Sequence, residues 1–175
     1  MLVTGDQFII HAIGDYVLQS DWQANNKTKA HFPAFCHALT YSLPFLILTQ
    51  SPAAWLTIFG THFLIDRYRL ARYVCWAKNW LAPKTWWKKV NGQWVGSSNQ
   101  EAHSWLTWHE IGKPDILHSD LAVITDITKA RTLPFSACSA TGYPPDRPAW
   151  LAVWLLIITD NLCHILINAA AIRYL

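Results

Sequence analysis

Four stretches of the chain are dominated by hydrophobic side chains, and each of them predicts a helix. They cover approximately residues 5–22, 33–50, 52–76 and 148–174. The last stretch is the most uniformly apolar, and about 20 such residues are enough for a helix that crosses a bilayer. The other three carry more polar positions, and the first is short for a spanning helix. The pattern therefore predicts a bundle of three to four helices.

A long connection separates the third and fourth stretches, at about residues 78–147. Loops beyond about 15 residues without structure of their own are uncommon in compact domains, so this connection is predicted to be an inserted subdomain. Its TWWKKVNGQW segment is rich in Trp and Lys and can lie as an amphipathic patch on a membrane surface, with a turn at NGQ. The chain is interpreted as one membrane domain, residues 1–175, that carries this insertion.

The composition differs from that of an ordinary soluble protein. The 175 residues are 52% hydrophobic and only 14% charged, whereas roughly 25% charged residues is usual in a soluble domain. The chain also has 11 tryptophans, and Trp concentrates at membrane–water interfaces. Together with the four apolar stretches, these features predict an all-α integral membrane helix bundle.

The placement of Lys and Arg predicts an orientation. Arg67, Arg69, Arg72 and Lys78 follow the third stretch, whereas only Arg173 lies beyond the fourth. By the positive-inside rule the inserted connection faces the cytoplasm and both termini face outward, in the inner membrane of a bacterium. Because these cations mark segment ends and the net charge is only +3, no nucleic-acid partner is expected. The expected partner is the lipid bilayer, together with a lipid-like substrate and either a second copy of the chain or a host membrane partner.

Seven ionisable side chains lie within the apolar stretches, where such groups are costly and usually functional. Six of them form His–Asp pairs spaced four residues apart, which places both members of a pair on one helix face. The seven residues are His11 and Asp15, His37, His62 and Asp66, and Asp160 and His164. We expect all seven to face one interior pocket in the cytoplasmic half of the bundle.

Imidazole and carboxylate groups are ligands of zinc, iron and manganese in proteins. Seven such groups exceed the four ligands of one tetrahedral zinc ion. They predict one or two divalent ions, with zinc first and iron or manganese as alternatives, or one ion whose ligands are oriented by the remaining groups. Competing interpretations are interhelical hydrogen bonds and ion pairs that hold the bundle together, and a proton relay. The four cysteines lack a CxxC spacing, so a thiolate site is not predicted.

Other polar and small residues accompany the seven. Gly14 is expected to let another helix approach closely, and Asn161 and Asn168 are expected either to support the site or to bond between helices. The inserted connection carries a second polar cluster, interpreted as a solvated surface or as a lid over the site. Its members are His103, His109, Glu110, Asp115, His118 and Asp120.

Four sequence blocks form a recognisable pattern. They are HAIGDYVLQSDWQANNK from His11, His37 followed by Tyr41, HFLIDRYR from His62, and PDRPAWLAVWLLIITDNLCHILIN from Pro145. The pattern resembles that of small bacterial and phage membrane proteins catalogued as domain of unknown function 3307. The resemblance covers both ends of the chain and leaves the insertion largely unmatched. The family has no established activity that the resemblance could imply. The resemblance does imply that the seven His and Asp residues belong to one site.

These observations predict a membrane-embedded metal-dependent hydrolase. One carboxylate, Asp15 or Asp66, acts in this hypothesis as general base on a water held at the metal. The depth of the site favours a lipid or lipid-linked phosphate ester as substrate. A vaguer similarity of the HxxxD helices to membrane-embedded metal-dependent hydrolases is an analogy only.

Two other functions remain open from the sequence. The chain can be a non-enzymatic phage or bacterial membrane interaction protein, in which the His and Asp cluster is structural and the Trp-rich insertion is the working surface. A proton or ion carrier is a third interpretation, which for so short a chain requires an oligomer.

Overall fold

The computed structural model describes residues 3–97 and 124–175. The chain divides into two compact units. The first unit joins Met1–Ala71 to Ile157–Leu175, and the second is Arg72–Leu156. All seven candidate ligands belong to the first unit.

The first unit is built from helical elements. In chain order they are α1 (Gly5–Ala12), a π-helical turn (Ile13–Val17), α2 (Asp21–Asn26), α3 (His31–Ser42), a 3-10 turn (Leu43–Ile47), α4 (Pro52–Tyr68) and the part of α6 (Ala149–Tyr174) from Ile157 onward.

Local sequence signals fix several of these helix ends. Thr4, Ser20 and Ser51 each accept a hydrogen bond from a backbone N–H in the turn that follows, as helix N-caps do. Pro52 is the first residue of α4, where its missing N–H leaves no hydrogen bond unmade. Helix α4 ends before Arg69, whose φ of 52° is left-handed.

Two predicted stretches break where the apolar pattern suggested continuity. The first stretch is predicted to reach residue 22, but it ends at Val17 because Ser20 caps a new helix. The third stretch is predicted to reach residue 76, but α4 ends at Tyr68 and α5 (Ala71–Lys78) begins beyond the left-handed Arg69. Apolar side chains continue through both breaks, so the hydrophobic pattern alone cannot show them.

The buried face of α4 has a spacing of four residues. Ala54, Ile58, His62 and Asp66 are all buried, so one helix face is apolar in its first half and ionisable in its second half. The apolar half belongs to a small hydrophobic core with Ile10, Tyr41, Phe45 and Ala171. The ionisable half faces polar side chains of the other helices.

The second unit contains a β-sheet, which corrects the all-α prediction. After α5 come three antiparallel strands in the order β2–β1–β3. They are β1 (Thr85–Val90), β2 (Gln93–Ser97) and β3 (Ile124–Ala130). The chain is thus mostly helical with a small sheet.

A tight hairpin joins β1 to β2. Asn91 and Gly92 have φ values of 49° and 83°, and two positive φ values in a row are typical of the two-residue turns that match strand twist. The predicted turn at NGQ is therefore confirmed. Trp87 on the central strand is only 2% exposed, so the TWWKKVNGQW segment contributes a core residue as well as a surface. Its placement on a membrane stays a prediction.

Among the described residues, one helix is long and apolar enough to cross a membrane. This is α6, with 26 residues. Helix α4 has 17 residues and reaches about 25 Å at 1.5 Å per residue, against about 30 Å for a hydrocarbon core. The spanning bundle of three to four helices therefore stays a prediction.

Gly14 lies where the π-helical turn meets α3. A β-carbon at this position would stand 2.7 Å from Tyr41 Cδ2 and 3.0 Å from the Tyr41 carbonyl oxygen. Both distances are shorter than van der Waals contact, so the close approach that was predicted at Gly14 is confirmed.

We expect Gly14→Ala to lower the free energy of unfolding by about 1–3 kcal/mol, which is the usual cost of overpacking. Gly60→Ala is the matched control, because a β-carbon on Gly60 meets nothing within 4 Å. It should change stability by no more than about 1 kcal/mol, in the stabilising direction. Unfolding of the two purified variants measures both effects, and equal stabilities would contradict the close approach.

Candidate metal centre

The buried polar cluster of the first unit is assembled from four helical elements. The π-helical turn supplies Asp15, α3 supplies His37, α4 supplies His62 and Asp66, and α6 supplies His164. All five side chains are buried. Because each is carried by a helix, the backbone fixes its position, and a π-helical turn within a helix is itself frequent at functional sites.

Four of these side chains converge on one point. His37 Nε2 lies 2.9 Å from His62 Nε2. Asp15 Oδ1 lies 3.2 Å and 3.5 Å from these two nitrogens, and Asp66 Oδ2 lies 3.1 Å and 3.3 Å from them. A tetrahedral zinc ion with bonds of about 2.0–2.1 Å holds its ligand atoms about 3.3 Å apart. The four groups are therefore spaced as a ligand shell and can hold a metal ion.

Hydrogen bonds among these four groups cannot satisfy all of them. An ionised carboxylate brings no proton, and each imidazole Nε2 brings at most one. His37 Nε2 faces His62 Nε2 and both carboxylates, so more lone pairs than protons point at the centre. A buried arrangement of this kind is compensated by a cation.

Asp66 also belongs to a second group. Its Oδ1 lies 3.4 Å from His164 Nε2, and that nitrogen lies 3.6 Å from Asp160 Oδ2. The ligand atoms of Asp66, Asp160 and His164 all lie within 4.8 Å of one another. Asp66 thus presents one oxygen to each group.

His11 lies beside the two groups. Its Nε2 donates to Asn161 Oδ1 at 2.6 Å, and its Nδ1 accepts from the Tyr41 hydroxyl at 2.7 Å. This tautomer follows from the amide oxygen of Asn161, which can only accept. Asn168 Nδ2 donates to the same Tyr41 hydroxyl at 2.6 Å. Both ring nitrogens of His11 are therefore engaged, and its contact with Asp15 is 3.7 Å.

Tyr41 links this hydrogen-bond chain to the ligands. Its ring is fully buried and stacks on the His62 imidazole, with centroids 3.5 Å apart and planes 13° from parallel. Tyr41 therefore orients His62 with its ring and His11 with its hydroxyl. Asn161 and Asn168 bond between α6 and the other helices at this same place, so they both pack the bundle and support the site.

Lys27 is a member of the cluster that the sequence interpretation missed. Its Nζ lies 2.8 Å from Asp66 Oδ2 and 3.1 Å from His37 Nε2. Burial lowers the pKa of the Lys27 ammonium, but the carboxylates of Asp66 and Asp15 outweigh this effect and bring the pKa above its usual value. Lys27 therefore contributes a positive charge at the edge of the ligand shell.

A backbone contact holds the segment that carries Lys27. Arg67 Nη1 donates to the Thr28 carbonyl oxygen at 2.8 Å and so joins the connection after α2 to the end of α4. In the sequence, Lys27 stands in the connection between the first two apolar stretches. Its place at the end of the HAIGDYVLQSDWQANNK block was the one signal that could have revealed it.

The structure brings the seven predicted residues into one region. Six of them fall into the two groups that share Asp66, and His11 contacts them from the side. Asp160 is the most exposed of the seven side chains, at 28%. The second polar cluster predicted in the insertion, within residues 103–120, lies outside the described residues.

The first unit is thus a helical bundle with a buried His and Asp site that can hold a metal ion. The chain belongs to the family described as protein of unknown function (DUF3307), whose family model matches residues 3–104. The family resemblance is therefore confirmed. The match includes the blocks around His11, His37 and His62, and it ends before the block that carries Asp160 and His164. No curated protein and no solved structure matches the chain.

We expect Tyr41→Phe to lower the free energy of unfolding by about 1–3 kcal/mol, because it leaves buried groups of His11 and Asn168 without their partner. Tyr68→Phe is the control, since Tyr68 is half exposed and lies outside this hydrogen-bond chain. Its effect should stay within about 0.5 kcal/mol. Thermal unfolding compares the two variants, and equal losses would show that the Tyr41 hydroxyl contributes nothing.

Proposed function

We propose that this protein is a membrane-embedded metal-dependent hydrolase that acts on a lipid or lipid-linked phosphate ester. The observation that carries the proposal is the convergence of His37, His62, Asp15 and Asp66 at distances typical of a zinc shell. Manganese and iron accept the same ligands.

The chemistry follows from the donor set. A divalent ion at this place would polarise a phosphoryl oxygen and make water a better nucleophile. The water oxygen bonds to phosphorus as the bond from phosphorus to the leaving oxygen breaks, and the leaving oxygen takes a proton from solvent.

Asp15 is the better placed of the two candidate general bases. The oxygens of Asp66 face three imidazoles and the Lys27 ammonium, so that carboxylate is fully engaged. Among the described residues, Asp15 Oδ2 forms its one ion-pair contact with His11, at 3.7 Å, and the Asp15 side chain is 10% exposed against 4% for Asp66. Asp15 would therefore contact the ion through Oδ1, which lies near His37 and His62, and take the proton of the attacking water on Oδ2.

The distribution of apolar side chains supports a bilayer setting. Large hydrophobic residues on the outer faces of the first unit are well exposed, among them Val17, Phe32, Ile47, Leu56 and Leu162. An apolar exterior around buried ionisable groups is the arrangement expected of a membrane bundle and is disfavoured on a monomer in water.

Two contacts support the proposed orientation in the inner membrane. Arg67 bonds to Thr28, so the cations that follow α2 and end α4 share one end of the unit. Ser51 Oγ donates to the Leu175 carbonyl oxygen at 2.9 Å, which places the C-terminus at the end that lacks them. The positive-inside rule puts the first of these ends, and the insertion that follows it, in the cytoplasm.

Metal analysis of the full chain, purified in detergent, tests the proposal. We expect at least one divalent ion per chain and hydrolysis of a long-chain phosphate monoester in mixed micelles. His62→Gln should remove the ion of this four-ligand group and abolish hydrolysis, because it deletes a ligand. Asp15→Asn should slow hydrolysis by about 10²–10⁴-fold, the usual contribution of a general base.

His31→Gln is the control for the His62 substitution. His31 is exposed at the start of α3, stacks on Phe63 and belongs to neither group of ligands, so metal and hydrolysis should both persist. Full metal occupancy in both His62→Gln and His164→Gln would end the metal proposal.

One observation favours the non-enzymatic alternative. Lys27 already places an ammonium among Asp66 and His37, so part of the negative charge is compensated within the chain itself. The second unit then offers a working surface, a cleft of about 460 Å³ lined by Trp76, Trp80 and Trp94.

Substitution in this cleft separates the two functions. Trp80→Ala is preferable to deletion of the hairpin, because Trp80 is 53% exposed whereas Trp87 is a core residue. Under the hydrolase proposal Trp80→Ala leaves metal binding and hydrolysis unchanged. If Trp80→Ala abolishes the protein's effect in cells, while the hydrolysis-deficient Asp15→Asn protein keeps it, the interaction protein is favoured.

A further inference from the structure

We infer that the site holds two divalent ions, one in a closed position and one in an open position, with Asp66 as the carboxylate that bridges them. The inference deepens the proposed hydrolase function and rests on it. It assigns a closed position to Asp15, His37, His62 and Asp66, and an open position to Asp66, Asp160 and His164.

The two oxygens of Asp66 point to different partners. Oδ2 lies 3.1 Å and 3.3 Å from the Nε2 atoms of His37 and His62, whereas Oδ1 lies 3.4 Å from His164 Nε2. A carboxylate that uses one oxygen for each of two ligand groups is placed to bridge two ions. Sites of this kind hold their ions about 3.5–4 Å apart.

His164 gives independent support for the second position. Its side chain is 1% exposed, and its Nε2 makes no hydrogen bond with any described residue. That nitrogen is aimed between Asp66 and Asp160, at 3.4 Å and 3.6 Å. A buried imidazole nitrogen directed at two carboxylate oxygens is the donor arrangement of a metal ligand.

The two positions differ in how many ligands the chain provides. The first has four protein ligands, which completes a tetrahedral shell, as in a structural zinc site. The second has three, and Asp160 is 28% exposed while the side chains of the closed group are 10% exposed or less. Three ligands beside an accessible edge leave room for water and a phosphate oxygen, as in catalytic sites.

The charges of the cluster favour two ions and an anionic ligand. With neutral imidazoles, Asp15, Asp66, Asp160 and Lys27 leave a net charge of two negative units. One divalent ion neutralises the site, and a second makes it doubly positive. A doubly positive site attracts an anionic phosphate group, whereas a neutral site does not.

Metal titration of the full chain in detergent tests this inference. Chelator-stripped protein is titrated with Zn²⁺, and bound zinc is measured after gel filtration. We expect two equivalents for the wild type and one for Asp160→Asn. Asp21→Asn, an exposed carboxylate of α2 outside both groups, should retain two equivalents.

Inorganic phosphate provides a second measurement on the same samples. The zinc-saturated wild type should bind it at least about tenfold more tightly than zinc-saturated Asp160→Asn, since only the wild type has the open ion. Equal phosphate affinity in the two proteins contradicts the assigned role of the open position.

The outcomes distinguish this inference from the function on which it rests. One equivalent in the wild type, unchanged in Asp160→Asn, overturns the two-ion arrangement and leaves a one-ion hydrolase. No bound zinc, manganese or iron in the wild type overturns both. Should Asp160→Asn unfold earlier than the metal-free wild type, His164→Gln replaces it, and loss of both equivalents from a folded variant contradicts a separate open position.

Discussion

The whole first unit depends on compensation of the charge that Asp66 buries. A carboxylate removed from water costs several kcal/mol unless it gains partners of equal quality, and Asp66 is only 5% exposed. Its partners come from distant parts of the chain: Lys27 after α2, His37 on α3 and His164 on α6. The helices cannot separate without leaving this charge unpaired. The ionisable cluster therefore holds the helices together at this end of the bundle, as apolar packing does at the other end.

Close packing around the cluster helps to bring these ionisable groups together. Gly14 lets the π-helical turn approach Tyr41, and that approach brings Asp15 within 3.2 Å of His37. Tyr41 then stacks on His62 and bonds to His11. A small residue, a ring and a hydroxyl thus hold Asp15, His62 and His11 beside one another. A metal shell needs such support, because its ligands must be held within about 0.5 Å of the productive geometry.

The ionisable cluster was largely predictable from the sequence, and its surroundings were not. His62 and Asp66 share a helix face at a spacing of four whatever the tertiary structure, so local geometry already pairs them. Lys27 reaches Asp66 only through the fold, and no local pattern distinguishes it from other connection lysines. The break at Arg69 is a single backbone conformation, and the hairpin at Asn91 lies in a segment whose Trp and Lys content suggested a surface patch. The prediction of a surface patch for this segment rests on its Trp and Lys content, although Asn-Gly between two strand-like runs is a hairpin signal.

Lys27 and a metal ion compete for one atom rather than for the whole site. The ammonium contacts His37 Nε2 at 3.1 Å, and it needs the same lone pair that an ion in the closed position would take. Its contact with Asp66 Oδ2 needs no such exchange, because a carboxylate oxygen accepts more than one partner. Metal binding would therefore break the Lys27 contact with His37 and keep the one with Asp66. The structural and metal-binding interpretations of this cluster are therefore compatible. Lys27 would compensate Asp66 with or without an ion, and an ion would release it only from His37. With an ion bound, the ammonium would have donors free for the oxygens of the proposed phosphate substrate.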